Sequence, residues 1–296
     1  MSESKSQATG SEADMQHEEP SAEDVAEGDL SRSIRLSQDR PHSARMYDYF
    51  LGGKTNYLVD RQAAEEVSRH FPAVVVAARA NRAFMHRSVH YLTSIGIRQF
   101  IDIGTGIPTA PNVHEVAQQV AADTRVVYVD NDPIVLAYSE QLLDSTSEGV
   151  TRYVEADASD ARAVLAAVEA TGCVDFTRPV AVNLHALLHF MPDAFEPHAI
   201  VKALMNRVVP GSYLSLSHVT LDFEPAAWRA IAEIYTKAGT PAQVRSHAEI
   251  ARFFDGLEMV DPGLTVAHRW RPQPASGPSL VSDTDVSLYA GVGRKR

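Results

Sequence analysis

The chain has 296 residues, 45% hydrophobic and 22% charged, so it can bury a core without disulfides or structural metal. Most of its net charge of −11 sits in residues 1–30, where nine acids face Lys5 alone; the mildly acidic remainder gives no broad footprint for nucleic acid. A single cysteine (Cys173), a polar N-terminus and no apolar run near the ~20 residues that span a bilayer point to a cytoplasmic protein without a membrane partner.

Residues 1–35 are rich in Ser, Glu, Asp, Gln and Ala. Such a segment buries too little apolar area to offset its ordering entropy, and a disordered acidic tail is expected. Residues 36–97 read as an N-terminal helical extension. It opens with the segment 44–54, which the Gly52-Gly53 pair interrupts. A helix is expected over 60–70, with Asp60 as its N-cap, and a longer one over 75–95, closed by Gly96.

From there the hydrophobic period shortens, and residues 98–296 read as one α/β domain. Apolar strands at 99–103, 125–130, 151–155, 179–184 and 213–217 alternate with helices at 112–122, 133–143, 161–170 and 197–208. That alternation predicts a mostly parallel, doubly wound sheet. Helices at 225–238 and 246–254 follow, then strands at 264–270 and 286–292 flanking a Pro/Ser-rich loop.

The sharpest local feature is Asp102-Ile103-Gly104-Thr105-Gly106, between a strand and a helix. Glycines there let the backbone turn and approach a ligand, at the strand end where open α/β sheets bind nucleotides. The third glycine of a dinucleotide fingerprint is replaced by Thr109, and Asp102 would face a pyrophosphate unfavourably but a cation well. The second strand ends at Asp130, followed by Asn131, where an acid can accept the hydroxyl protons of a ribose. Asp157 follows the third strand, within reach of an adenine amino group. Three acids after three successive strands are more specific than any one alone.

The fourth strand exits through Asn183 to Phe190. His185 and His189 are four residues apart, a spacing that could pair them on a metal, yet no third ligand accompanies them and no metal is expected. One of them, His189 in the first place, is a candidate general base or substrate contact; both could equally be structural.

These residues resemble a known family. Segments 100–106 and 128–130, with Asp157, are similar to the successive motifs of class I S-adenosylmethionine (SAM)-dependent methyltransferases. Segments 44–54, 80–84, 102–109 and 129–133 resemble, more narrowly, the actinobacterial S-adenosyl methyltransferase family, long a domain of unknown function; the resemblance spans about 36–293. It implies a Rossmann-like α/β fold with SAM as cofactor. Gly104 and Gly106 would lie near its amino-acid part, Asp130 at the ribose, and Asp157 with Ala158 at the adenine. Asp102, Thr105, Asn131 and Asn183 complete the implied cofactor contacts. Pro108 stands where the common motif has a further glycine, so the loop shape departs from that pattern. Segment 47–54 lies where methyltransferases often carry a lid, and Tyr47, Tyr49, Arg82 and His185 are the candidate lid or substrate residues.

Methyl transfer needs alignment and desolvation more than a strong base, so the sequence need not advertise a catalytic residue. The strand-four exit lacks the Asn-Pro-Pro-Tyr pattern of enzymes that methylate planar amines. The expected function is therefore methyl transfer to a small-molecule acceptor, with no nucleic-acid partner. The alternative is a non-catalytic SAM-binding sensor or partner-binding module. Neither the acceptor nor the oligomeric state is legible in the sequence.

Overall fold

The computed structural model describes residues 39–132, 134, 135, 138, 145–272 and 281–296. The acidic segment 1–35, most of the helix expected over 133–143 and most of the Pro/Ser-rich linker lie outside the described residues. Three helices come first: α1 (Ser43–Phe50), α2 (Leu58–His70) and α3 (Val74–Ser94). The sheet strands are β1 (Gln99–Ile103), β2 (Arg125–Asp130), β3 (Val150–Glu155), β4 (Ala181–His185) and β5 (Tyr213–Val219). Helices α4 (Val113–Val120), α5 (Ala161–Ala170) and α6 (Pro197–Arg207) lie between them in sequence. The C-terminal part adds α7 (Pro225–Lys237), α8 (His247–Ala251), β6 (Leu257–Met259), β7 (Thr265–Val266), α9 (Asp283–Val286) and β8 (Leu288–Lys295).

The sheet runs β3-β2-β1-β4-β5-β8-β6, with β7 also on β8. Its first five strands are parallel, and β8 reverses direction against β5. The order switches direction between β1 and β4, and a crevice for ligands forms at the strand ends beside such a switch. Parallel strands are covered on both faces and so read as continuous apolar runs. Phe100, Val126 and Ala181 pack with α1–α4 and α7; Ile101, Val127 and Val182 pack with α5 and α6 on the other face.

The N-terminal helices are tied together by one buried acid. Asp60 lies within the first turn of α2, three residues beyond the N-cap Tyr57, which corrects the expected cap position. Its carboxylate accepts the backbone N–H groups of His42 (2.9 Å) and Tyr57 (2.8 Å) and lies 3.3 Å from the buried Arg45 guanidinium. Cap, helix start and ion pair thus converge on one side chain. In the turn after α1, a Cβ on Gly53 would stand 1.9 Å from Asp48 Oδ1, so only glycine fits that approach.

Two expectations fail near the C-terminus. The strand expected over 264–270 is only the two residues of β7. Beyond it, Ala267–Arg269 form a 3₁₀ turn whose chain Arg87 holds, its guanidinium donating to the carbonyls of Ala267 and Trp270 at 2.7 Å. Trp270 turns fully inward, edge-on to Phe84 with centroids 5.3 Å apart. The last strand starts at Leu288 rather than 286, because Ser282 and Asp285 cap the short α9 and Ser287 turns the chain with φ +40°. The strand β6, three residues long, was not anticipated.

Phe84 touches both Trp270 and His185 and is fully buried. Phe84→Ala should cost about 3–5 kcal/mol through lost burial and the cavity left behind. Urea unfolding should show a lower midpoint at an unchanged slope.

Candidate functional site

The carboxyl ends of β1, β2 and β4 open onto a cavity of about 500 Å³ bounded by α1, α3 and α7. Asp102, Gly104, Thr105, Gly106, Asp130, Asn131, Asp157, Ala158, Tyr47, Arg82, His185 and His189 all line it. Two candidates do not. Tyr49 packs beside Phe50 against the core of the N-terminal helices. Asn183 is fully buried in β4, level with Asp102 on β1, and its side chain faces the Asp102 carboxyl and favours its ionised form.

Gly104 and Gly106 both hold positive φ, +71° and +67°, which bends the loop after β1 back over β2. Gly104 N–H donates to the Val129 carbonyl at 2.8 Å, and Gly106 N–H donates to Asp130 Oδ2 at 2.7 Å. The other oxygen, Oδ1, accepts the N–H of Asp132 at 3.0 Å. The carboxylate is therefore fixed by backbone on both sides, with lone pairs left for a ligand. Burial pushes its pKa up, and the two backbone N–H groups oppose that rise. Asp132, itself buried, lies 3.1 Å from the ring of His42, which also lines the cavity.

Arg82, on α3, donates through Nη2 to the carbonyls of Pro111 (2.8 Å) and Thr109, holding the loop that leads into α4. Its guanidinium is also the cation nearest in effect to Asp102. Burial drives the Asp102 pKa up to about 7, and Arg82 only partly counters it. A buried carboxyl near neutrality is poised to ionise when a cation arrives.

The histidines do not form a helical pair: His185 ends β4, whereas His189 sits in a separate 3₁₀ turn, Leu188–Phe190. His185 Nε2 is 2.9 Å from Ser215 Oγ. Both are pushed down to about 3, chiefly by burial, with Arg82 adding to the effect at His185 and Arg245 at His189. Both are therefore neutral at pH 7. No group of three or more His, Cys, Asp or Glu side chains that could hold a metal occurs among the described residues.

A buried polar chain joins these parts. Ala186 N–H donates to Ser217 Oγ (2.9 Å), and that hydroxyl donates to Asn81 Oδ1 (2.5 Å). Asn81 Nδ2 donates to the Tyr47 hydroxyl (2.8 Å), which donates to the Ala78 carbonyl (3.1 Å). Helix α1 is thereby tied to the exit of β4. Sequence reasoning missed Asn81 and His42 as site residues, and also the apolar wall formed by Phe190, Trp228, Ile231 and Tyr235. The only signal for that wall is the amphipathic pattern of α7, which does not say what the helix covers.

Comparison with known proteins now decides the family. A family model described as S-adenosyl methyltransferase matches residues 29–296. The chain belongs to this family. A DUF574 family protein from Streptomyces avermitilis is 46% identical over 88% of this chain and 100% of its own, with a TM-score of 0.85. A candidate methyltransferase from Thermobifida fusca is 36% identical over 88% and 97%, with a TM-score of 0.81. No curated protein matches the chain. The methyltransferase has the Rossmann-like fold that the resemblance implied, and SAM is its cofactor. No helix among the described residues is long and apolar enough to cross a membrane.

The state of Asp102 sets a pH dependence. A cationic ligand favours its ionised form, so below pH 7 binding must first expel a proton. SAM affinity should fall by up to about tenfold per pH unit as pH drops from 7 to 5.5. Calorimetry at pH 6 in two buffers of different ionisation enthalpy should register proton release, and Asp102→Asn should reduce both effects.

Proposed function

We propose that the polar end of the cavity holds SAM and that the protein moves the methyl group to a small-molecule acceptor bound toward α7. The observation that supports this most directly is the gathering of Asp102, Asp130, Asp157 and Arg82 around one glycine loop, at the mouth of the sheet. These side chains match the cofactor in charge. Asp102 suits an α-ammonium and Arg82 an α-carboxylate, with Gly104, Thr105 and Gly106 against the amino-acid part. Asp130 would accept from the ribose hydroxyls beside Asn131, and Asp157 with Ala158 would meet the adenine. Asn183 acts from beneath Asp102, without touching the ligand.

We assign residues 36–97 the role of a lid and 98–296 that of the SAM-binding domain, in a cytoplasmic enzyme. Tyr47 and His42 bring α1 against the cavity, so this helix can exclude water from the reacting centre. SAM, when bound, supplies a methyl group on a sulfonium that a nucleophile displaces directly. His189 is the residue we assign to receive the acceptor's proton, being neutral, buried and on the cavity wall. Its low basicity makes it a modest contributor, so alignment by the walls carries most of the rate.

The test is label transfer from methyl-labelled SAM into a fractionated small-molecule extract. Label should move into a discrete organic product with matching formation of S-adenosylhomocysteine, and His189→Ala should lower kcat by about tenfold or more. Label that stays on SAM in every fraction would instead favour a SAM-binding protein without transferase activity.

A further inference from the structure

The cavity has two chemically different ends. Its ionisable carboxylates and its arginine (Asp102, Asp130, Asp157, Arg82) all belong to the end at β1–β3 and α3. The other end is walled by Phe50, Val74, Phe190, Trp228, Ile231 and Tyr235, and among the described residues no Asp, Glu, Lys or Arg lines it. Its aromatic rings are braced against one another. Phe190 meets Tyr235 at 5.0 Å and 61°, and Trp228 meets Phe71 of the N-terminal helices at 5.1 Å. A charged guest would lose its hydration here with no counter-charge to replace it, at a cost no apolar contact offsets. A flat apolar guest would gain dispersion and area burial on every side.

Where the two ends meet stand the protic groups His185, His189, Asn81 and Tyr47. Tyr47 and Asn81 already spend their hydrogen bonds on the chain that ties α1 to β5. The two histidines are neutral, but burial leaves them weak proton acceptors. Among the described residues no carboxylate stands at this junction to draw the proton from an aliphatic alcohol. A hydroxyl on an aromatic ring, with a pKa near the tyrosine value of about 10, gives its proton up far more readily.

We infer that the acceptor is an uncharged, ring-bearing apolar molecule with a phenol-type hydroxyl, seated against α7 with that hydroxyl at the junction beside His189. The inference rests on the SAM assignment made above for the polar end. In the reaction the hydroxyl oxygen forms a bond to the methyl carbon as the carbon–sulfur bond breaks. The electron pair stays on sulfur, turning the sulfonium into a thioether, and the hydroxyl proton is accepted at His189 and lost to solvent once the product leaves.

The test is calorimetric titration of the full chain, saturated with S-adenosylhomocysteine, using 2-naphthol and its anionic analogue 6-hydroxynaphthalene-2-sulfonate. Binding of 2-naphthol is expected, with the sulfonate at least tenfold weaker. Ala232→Trp, which fills the lobe from α7, should weaken 2-naphthol at least tenfold and leave S-adenosylhomocysteine affinity within about twofold. Absence of 2-naphthol binding, equal binding of the two naphthols, or indifference to Ala232→Trp in a variant that still takes S-adenosylhomocysteine would overturn the inference. If Ala232→Trp fails to fold, the naphthol comparison on the native chain decides alone. A native chain that takes 2-naphthol but not S-adenosylhomocysteine would sink the cofactor assignment and leave the apolar lobe standing.

Discussion

The carboxylate of Asp130 is the joint on which the polar end of the cavity depends. One of its oxygens holds the N–H of Gly106, from the loop after β1; the other holds the N–H of Asp132, from the turn after β2. A single side chain at the end of one strand thus sets the shape of two neighbouring loops. The same shape favours glycine at 104 and 106, because both positions sit in the left-handed region, and at 104 a Cβ would also stand 2.6 Å from Leu187 Cδ1. Burial raises the cost of keeping this carboxylate charged, and the backbone donors lower it again. A carboxyl held in this way need not reorganise to accept from a ligand's hydroxyls, as the proposed ribose contact requires.

From that joint the rest of the cavity follows. Charge collects where β1, β2 and β3 end, and the N-terminal helices and α7 cover the opposite end with apolar side chains. The two ends are linked through the Tyr47–Asn81–Ser217 chain, so α1 is coupled to the residues around His185 by hydrogen bonds rather than by packing alone. Asp60 secures the same helix from behind by its backbone contacts and its pairing with Arg45. A buried pair of this sort specifies geometry more than it adds stability, which suits the lid role proposed for this helix.

Much of this was legible in the sequence, for identifiable reasons. Strand β1 and all of β2 beyond the exposed Arg125 are buried parallel strands, so they read as short, mostly apolar runs with an acid at or next to the carboxyl end, and Asp102 and Asp130 announce themselves. The glycine loop is legible because its left-handed conformation strongly favours glycine. What was missed depends on contacts between distant parts of the chain. Asn81 and Ser217 are 136 positions apart, and nothing local marks either as a partner. Residues 264–270 have a strand-like composition, but Arg87, some 180 positions earlier, captures their carbonyls and the chain turns instead. Tyr49 differs for a simpler reason: it alternates with Tyr47 in the motif, yet neighbouring helical positions point in different directions, and only Tyr47 reaches the cavity.

The most direct measurement is equilibrium titration of S-adenosylhomocysteine into the native chain and into Asp130→Ala. With the carboxylate as the ribose acceptor and loop anchor, native binding in the micromolar range should weaken by about a hundredfold in the variant, the loss of two charge-assisted hydrogen bonds. Equal affinity in a variant that unfolds like the native chain would contradict the assignment of Asp130 and, with it, the placement of the cofactor at this end of the sheet.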